Sequence, residues 1–334
     1  MAAVGDNNFM RYIYRGEDGE IIPDGATHIT VAEDVTVVRA WAFLRHPSIV
    51  EVICHEGVEK IEEWAFGHCP SLRRVIMPGV KIARDSAFCD CRALTDVECG
   101  KLEIIGYCVF GSCKSLKSIN APSARLVGDI AFSHCRALVD VKFSNKLERI
   151  DLRVFVNCPS LERITIPLKD GIIHVDDTFY GCRKLNYIDL VEGELHETIV
   201  ALHLEAWRID MKEEIDSINQ ILPNADAGDY EDIGGEDDGE KAQVIRRWIR
   251  LVLRKINHYQ AEHQRILDFS ATTLQLALPH DIVTNNVMPL LALPSYTFEV
   301  GYEDEDSHSD SYSDESSSEG EESEMEEDSS EDGH

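Results

Sequence analysis

Cysteine is the residue placed most regularly in this sequence. Cys69, Cys91, Cys113, Cys135, Cys158 and Cys182 each stand three residues after a phenylalanine. Thiols at a constant spacing could ligate a soft metal or carry redox chemistry, since the thiolate is both nucleophile and ligand. Zinc sites of the finger or ribbon type, however, need two cysteines two to four residues apart and a second such pair. Only Cys89 and Cys91 stand that close together, with one residue between them. The plainer reading is a column of small, buried thiols filling one position of a repeat. No metal and no other cofactor is expected.

Two other groups of residues could do chemistry. Arg246, Arg247, Arg250, Arg254 and Lys255 lie along a helical stripe. They could face an acidic partner, a membrane surface or a calmodulin-like protein. The plainer reading pairs them with the chain's own acids, including Glu213, Glu214 and the 223–240 segment. Ser307, Ser311, Ser316, Ser318, Ser323 and Ser329 each have an acid three residues on. Acid-directed kinases prefer such sites, and each phosphate would add about −1.5 to −2 charges. A purely solubilising segment is the equal alternative. There is no Gly-rich phosphate loop, no Gly-x-Ser-x-Gly elbow and no His-Glu-x-x-His, and the 13 histidines are scattered. No enzyme is expected.

The elements that would position these residues come from a repeat. A small residue followed by Phe recurs at Phe43, Phe66, Phe88, Phe110, Phe132, Phe155 and Phe179, with steps of 22 to 24 residues. The Cys column follows three residues after Phe, with His46 in its place in the first repeat. An aliphatic stands six residues after Phe, at Ile49, Leu72, Leu94, Leu116, Leu138, Leu161 and Leu185. Another stands nine after, at Val52, Val75, Val97, Ile119, Val141, Ile164 and Ile188. A mostly apolar residue stands eleven after, from Cys54 and Met77 to Leu190. A period near 22 with aliphatics three and then two apart is a leucine-rich pattern. The pair two apart puts both side chains on one face of a short strand. Each coil buries that face only against its neighbours, so the coils must stack into a parallel sheet. A second aliphatic about five residues before Phe (Val38, Ile61, Ile105, Val127, Ile150) marks another extended piece on the opposite side of the coil, with the Phe-x-x-Cys segment as the turn between them.

Residues Ile61-Glu62-Glu63-Trp64-Ala65-Phe66-Gly67-His68-Cys69-Pro70-Ser71-Leu72-Arg73-Arg74-Val75-Ile76-Met77-Pro78 resemble the BspA-like, or LRR_5, leucine-rich repeat, of the form I-x-x-x-A-F-x-x-C-x-x-L-x-x-I-x-I-P. The resemblance covers roughly residues 25–191. It implies a curved solenoid used for protein–protein contact or adhesion, and no catalytic residues.

After the repeats, residues 195–222 have helical apolar spacing with one phase shift, from Leu195 through Ala206, Met211, Ile215 and Ile218 to Leu222. Ile245, Ile249, Val252, Ile256, Tyr259, His263 and Ile266 alternate steps of four and three, which is the seam of a second helix continuing to about Leu278. The two form an antiparallel pair that caps the last coil. Asn219–Pro223 and His258–His263 resemble the C-terminal region of BspA-like repeat proteins common in diatoms. The formal net charge is −30; residues 303–334 hold 16 acids and no Lys or Arg, and 223–240 hold another 8 with no base. Such segments cannot bury enough apolar surface to offset chain entropy. This acidity argues against direct contact with nucleic acid or anionic membrane. No apolar run reaches the roughly 20 residues of a membrane span. Neither a signal peptide nor a disulfide framework is indicated, which points to an intracellular protein of the cytoplasm or nucleus with free thiols.

The expected fold is an α+β repeat protein. It comprises a lead-in (1–24), a parallel-β leucine-rich-repeat solenoid of about seven coils (25–193), a helical hairpin (194–280) with an acidic loop at 223–240, an extended linker (281–302) and a disordered acidic tail (303–334). The side chains flanking the inward pair would face the concave surface. Arg73, Arg74, Ile76, Asp96, Glu98, Lys117, Asn120, Asp140, Lys142, Arg163, Thr165, Tyr187 and Asp189 are the candidate contacts for an unidentified protein partner. They vary while the core columns repeat, as recognition on a rigid lattice requires. The favoured function is therefore a non-catalytic, monomeric interaction scaffold. An acidic-tail binder or chaperone of basic proteins such as histones is the second reading, and surface adhesion a third.

Overall fold

A computed structural model describes residues 9–191, 205–224 and 240–290. Residues 11–190 wind as a succession of short strands on two sides of the coil, nine on a wider side and six on a narrower one, all paired in parallel. The wider sheet holds β1 (Arg11–Tyr14), β2 (His28–Val31), β4 (Glu51–Ile53), β6 (Arg74–Ile76) and β8 (Asp96–Glu98), then β10 (Ser118–Asn120), β12 (Asp140–Lys142), β14 (Arg163–Ile166) and β15 (Tyr187–Leu190). The narrower sheet holds β3 (Val37–Val38), β5 (Lys60–Ile61), β7 (Ile82–Ala83), β9 (Ile104–Ile105), β11 (Leu126–Val127) and β13 (Arg149–Ile150). Neighbouring coils pair in register, so Val52, Val75 and Val97 are direct partners, as are Val141, Ile164 and Ile188 by way of β12, β14 and β15. All of these side chains point inward and are buried. Among the described residues the wider sheet's pairing is interrupted once, between β8 and β10.

The turn side carries a third ladder, made of backbone that forms no strand. In coils one to five the residues at Phe−2, Phe and Phe+2 donate their N–H groups to carbonyls of the next coil. Thus Trp64, Phe66 and His68 donate to Asp85, Ala87 and Cys89 at 2.7–3.0 Å. The two flanking positions hold left-handed backbone in every one of the first six coils, from Trp41 and Arg45 to Arg153 and Asn157. Twelve non-glycine residues take up a conformation that ordinarily costs an L-residue on the order of 1 kcal/mol; the inter-coil hydrogen bonds and the rings held beneath them offset it. In the last coil the residue at Phe+2 is Gly181, also left-handed.

Inside this turn the seven phenylalanines stack. From Phe43 to Phe179 successive rings lie 4.7–5.6 Å apart and within 14° of parallel. Tyr14, from β1, packs against Phe43 at the end of the stack, 5.0 Å away with its ring tilted by 56°. Residues Arg11–Tyr14 of the lead-in are thus part of the solenoid. β1 pairs with β2 over four residues, so the sheet begins well before residue 25. The repeat motif hides this, because β1 brings a strand without a Phe-x-x-Cys turn of its own.

Two helices follow. α1 (Glu205–Ile221) and α2 (Glu240–Gln275) lie antiparallel: Trp207 stacks on Tyr259 at 5.1 Å, and Trp248 Nε1 donates to the Glu214 carbonyl. Leu195, Ile199 and Leu202 of the expected helix lie outside the described residues. Ala206 is exposed, and Trp207 takes its place in the seam. In α2, Ile245, Ile249, Val252 and Ile256 are buried as expected, but Ile266 is 46% exposed and Leu267 is buried instead. The step after His263 is four rather than three, and the turn that holds buried Val283 lies against this helix. The stretch expected as an extended linker carries helical turns at His280–Ile282, Val283–Val287 and Met288–Leu290; the rest of it lies outside the described residues. Among the described residues no helix is long and apolar enough to cross a membrane.

Candidate protein-binding face

The thiol column is buried throughout, at Cys69, Cys91, Cys113, Cys135, Cys158 and Cys182. Each thiol donates to the carbonyl of the phenylalanine one coil earlier, at 3.0–3.2 Å. His46, the exception, is also buried, and its Nε2 lies 3.0 Å from the Pro23 carbonyl, so a longer arm reaches a partner where no earlier coil supplies a repeat Phe. The column therefore joins coils and faces away from solvent.

The last coil is closed by groups that the periodicity did not reveal. Lys241, at the start of α2, is buried, and its ammonium donates to the carbonyls of Cys182 (3.0 Å), Leu185 (3.1 Å) and Arg183 (3.4 Å). Asn219 of α1 accepts the N–H of Ile188 at 2.8 Å, on the edge strand β15. The basic stripe of α2 turns inward in part. Arg246 pairs with Asp176, Arg250 with Asp170, and Lys255 with Glu214 (2.8 Å) and Asp210 (3.3 Å). Tyr259 donates to Asp210 as well. Hydrogen bonding, first to Tyr259 and then to Lys255, holds the Asp210 carboxyl below its ordinary range, against its slight burial. The acids that answer the stripe are thus mainly on the solenoid and α1, with Glu214 the one foreseen; 225–239 lie outside the described residues.

The outer face of the wider sheet is open to solvent. Arg73, Arg74, Asp96, Glu98, Lys117, Asn120, Lys142, Arg163 and Tyr187 are exposed, and Ile76, Asp140, Thr165 and Asp189 are half-buried. Arg73 and Lys117 stand just before their strands, and their carbonyls accept N–H groups of the next coil. The structure sorts the rest into two groups. On β4, β6 and β8, Arg74 meets Glu98 (2.6 Å), Asp96 (3.2 Å) and Glu51 (3.6 Å). Glu51 and Asp96 are its register partners on either side. Hydrogen bonding to Glu98 is the main cause raising the Arg74 pKa. On β14 and β15, Arg163 lies over the Tyr187 ring at 5.0 Å and pairs with Asp189 at 3.1 Å, while Lys142 lies 3.5 Å from Asp140 on β12. The Lys117 and Asn120 coil lies between the groups, beside the interruption at β8 and β10. Glu51 was missed by sequence reasoning because it stands one coil before Arg74; the in-register pairing is the signal that finds it. The six serine candidates lie outside the described residues. Among the described residues there is no group of three or more Cys, His, Asp or Glu side chains that could hold a metal ion.

Stacked parallel strands, one buried Phe–Cys turn per coil and a helical end cap define a leucine-rich-repeat solenoid, a fold that generally mediates protein–protein interaction. The model of the BspA type leucine rich repeat region matches residues 25–126 and 103–201 in 6 copies, so together it takes in more than half of the chain, and the chain belongs to that family. No curated protein matches. Among solved structures, the Treponema pallidum (T. pallidum) leucine rich repeat protein TpLRR is 22% identical, with 60% of this chain and 86% of that one covered and a TM-score of 0.42. The pneumococcal vaccine antigen PcpA is 19% identical, with 55% and 54% covered and a TM-score of 0.38. Human 5T4 (Wnt-activated inhibitory factor 1, trophoblast glycoprotein) is 14% identical, with 61% and 86% covered and a TM-score of 0.34. Proteins of this repeat class are typically non-catalytic binding scaffolds. Likeness at this distance carries no partner across.

Proposed function

We propose that the chain is a non-catalytic interaction scaffold that holds a protein partner on the outer face of its wider sheet. One observation carries the reading. Beneath that face the paired residues repeat coil after coil as buried aliphatics, while above it the in-register series Glu51, Arg74, Asp96, then Ser118, Asp140, Arg163, Tyr187 changes character at every step. A rigid lattice under a freely varied surface is the arrangement that recognition on repeat proteins uses. Arg and Tyr, here juxtaposed at Arg163 and Tyr187, are the residue types over-represented in binding hot spots. Affinity purification with the intact chain and with an Arg73→Ala, Arg74→Ala, Arg163→Ala variant tests it. A partner that is lost by the variant while the circular dichroism is unchanged supports the proposal; a partner held equally well by both excludes this face.

The 16 acids of residues 303–334 favour a second reading, capture of basic proteins such as histones. Removal of 303–334 separates the two. Loss of binding with a steep salt dependence belongs to the acidic segment, and binding retained without it belongs to the sheet face.

A further inference from the structure

Cys89 and Cys108 are not members of the buried thiol column. Both are half-buried and free, at the turn side of adjacent coils, and their sulfurs lie 3.4 Å apart. Cys89 stands one residue after Phe88, and Cys108 two residues before Phe110. Three further features shape the spot. Cys108 occupies a left-handed position, φ 54°. A side chain at Gly111 would place its Cβ 2.3 Å from the Cys108 sulfur, so the absence of one leaves that sulfur its room. The backbone on both sides is fixed by the turn ladder, with Ser86, Phe88 and Asp90 donating to Tyr107, Val109 and Gly111 at 2.8–3.0 Å. This is also the coil boundary at which β8 and β10 fail to pair.

We propose that Cys89 and Cys108 are a peroxide-oxidisable dithiol that closes to a disulfide and staples the third coil to the fourth. Two sulfurs in contact need approach by only about 1.4 Å to reach bonding distance, which side-chain rotation can supply while the backbone stays paired. The steps balance with hydrogen peroxide as the oxidant. The Cys108 thiolate attacks one peroxide oxygen, the O–O bond breaks, hydroxide leaves and Cys108 becomes a sulfenic acid. The Cys89 thiol then attacks the sulfenic sulfur; its proton and the departing hydroxyl form water, and the S–S bond is made. Two thiols are oxidised and one peroxide is reduced to two waters. The order of events follows from the surroundings: hydrogen bonding with Cys89, and further hydrogen bonds with Ser86 and the Gly111 backbone, hold the Cys108 thiol below its ordinary pKa against its burial, whereas contact with Cys108, then burial, pushes Cys89 up. The column thiols Cys91 and Cys113 are fully buried and raised by desolvation, so they stay behind in the reaction.

The test treats the reduced full-length chain with hydrogen peroxide, blocks remaining thiols by alkylation and maps tryptic peptides. The expected product has lost two alkylatable thiols and contains a peptide 85–92 joined to 102–114. Fragmentation must place the bond at Cys89 and Cys108, because the same two peptides carry Cys91 and Cys113. Cys89→Ser should leave a dimedone-reactive sulfenic acid on Cys108, and Cys108→Ser should form neither. In the native chain the oxidised form should melt several degrees above the reduced one, and the double serine variant should show no such response. A bond mapped to Cys91 and Cys113, Cys89 and Cys108 still alkylatable after other thiols are consumed, or a disulfide between two chains would each overturn the proposal.

Discussion

The thiol of Cys113 donates to the carbonyl oxygen of Phe88 across 3.2 Å, one coil back in the chain, and that same oxygen also receives the N–H of Cys91. One acceptor thus ties together its own turn and the next. Cys113→Ala removes the donor and opens a small void, and it should cost about 1–2 kcal/mol. Urea denaturation followed by circular dichroism measures it; an unchanged midpoint would show the thiol to be idle.

Stability should fall in mild alkali. Burial pushes Cys54 and Cys99 up to about 12, from an ordinary thiol value of 9.0. Above pH 9 the unfolded chain releases these protons while the folded chain keeps them. The folded state is therefore penalised as pH rises from 9 towards 12, by up to about 1.4 kcal/mol per pH unit for each thiol. Below pH 9 the two thiols contribute no pH dependence. Cys91, Cys113 and Cys135 are raised by burial as well and add to the same fall, so replacing Cys54 and Cys99 with alanine should lessen the slope between pH 9 and 11 without abolishing it, and an equally steep fall in that variant would assign it elsewhere.

Lys241→Met should keep the apolar stem and lose the ammonium that three carbonyls of the last coil share. The Cys182 carbonyl keeps the Leu185 N–H, but a carbonyl left without a donor in a buried site costs about 1–3 kcal/mol. The loss should be local, read as faster amide exchange in residues 182–190 with the central coils unaffected. Uniform loss of protection along the solenoid would contradict the capping role.

At Gly79 a Cβ would meet the Glu56 carbonyl oxygen of the preceding coil at 2.0 Å, backbone against side chain. Nothing flexible can yield there, so Gly79→Ala must spread two coils. A loss of about 1–3 kcal/mol is expected, in the range of overpacked interiors, and a melting temperature within one degree of the parent chain would refute the close approach.

The columns were legible because each coil poses the same packing problem, so Phe, Cys, Leu and Val return at fixed offsets and the register follows. Other features have no such echo. The left-handed positions are filled by Trp, Arg, His, Ser, Asp, Cys, Ile and Asn, so no residue type marks them; they follow from hydrogen bonds to the next coil. Lys241 and Asn219 each occur once, at a boundary, and a lysine on a helix carries no sign that it will be buried. The exchange of Ile266 for Leu267 depends on which segment packs alongside α2 beyond α1. On the sheet face the candidates were legible as outward positions, but their sorting into the Arg74 and Arg163 groups required the lateral pairing of strands far apart in sequence.

The substitution of His46 in the thiol column, together with Lys241 at the opposite end, bears on how such an array can change length. An interior coil ends in an open Phe carbonyl that the next Cys can take up, so a copied coil inserted between two others meets the same partners it left. A coil added before the first would find His46 reaching for Pro23 rather than a Cys reaching for Phe; one added after the last would find carbonyls of the present last coil already held by Lys241. Duplication can lengthen this solenoid only from within.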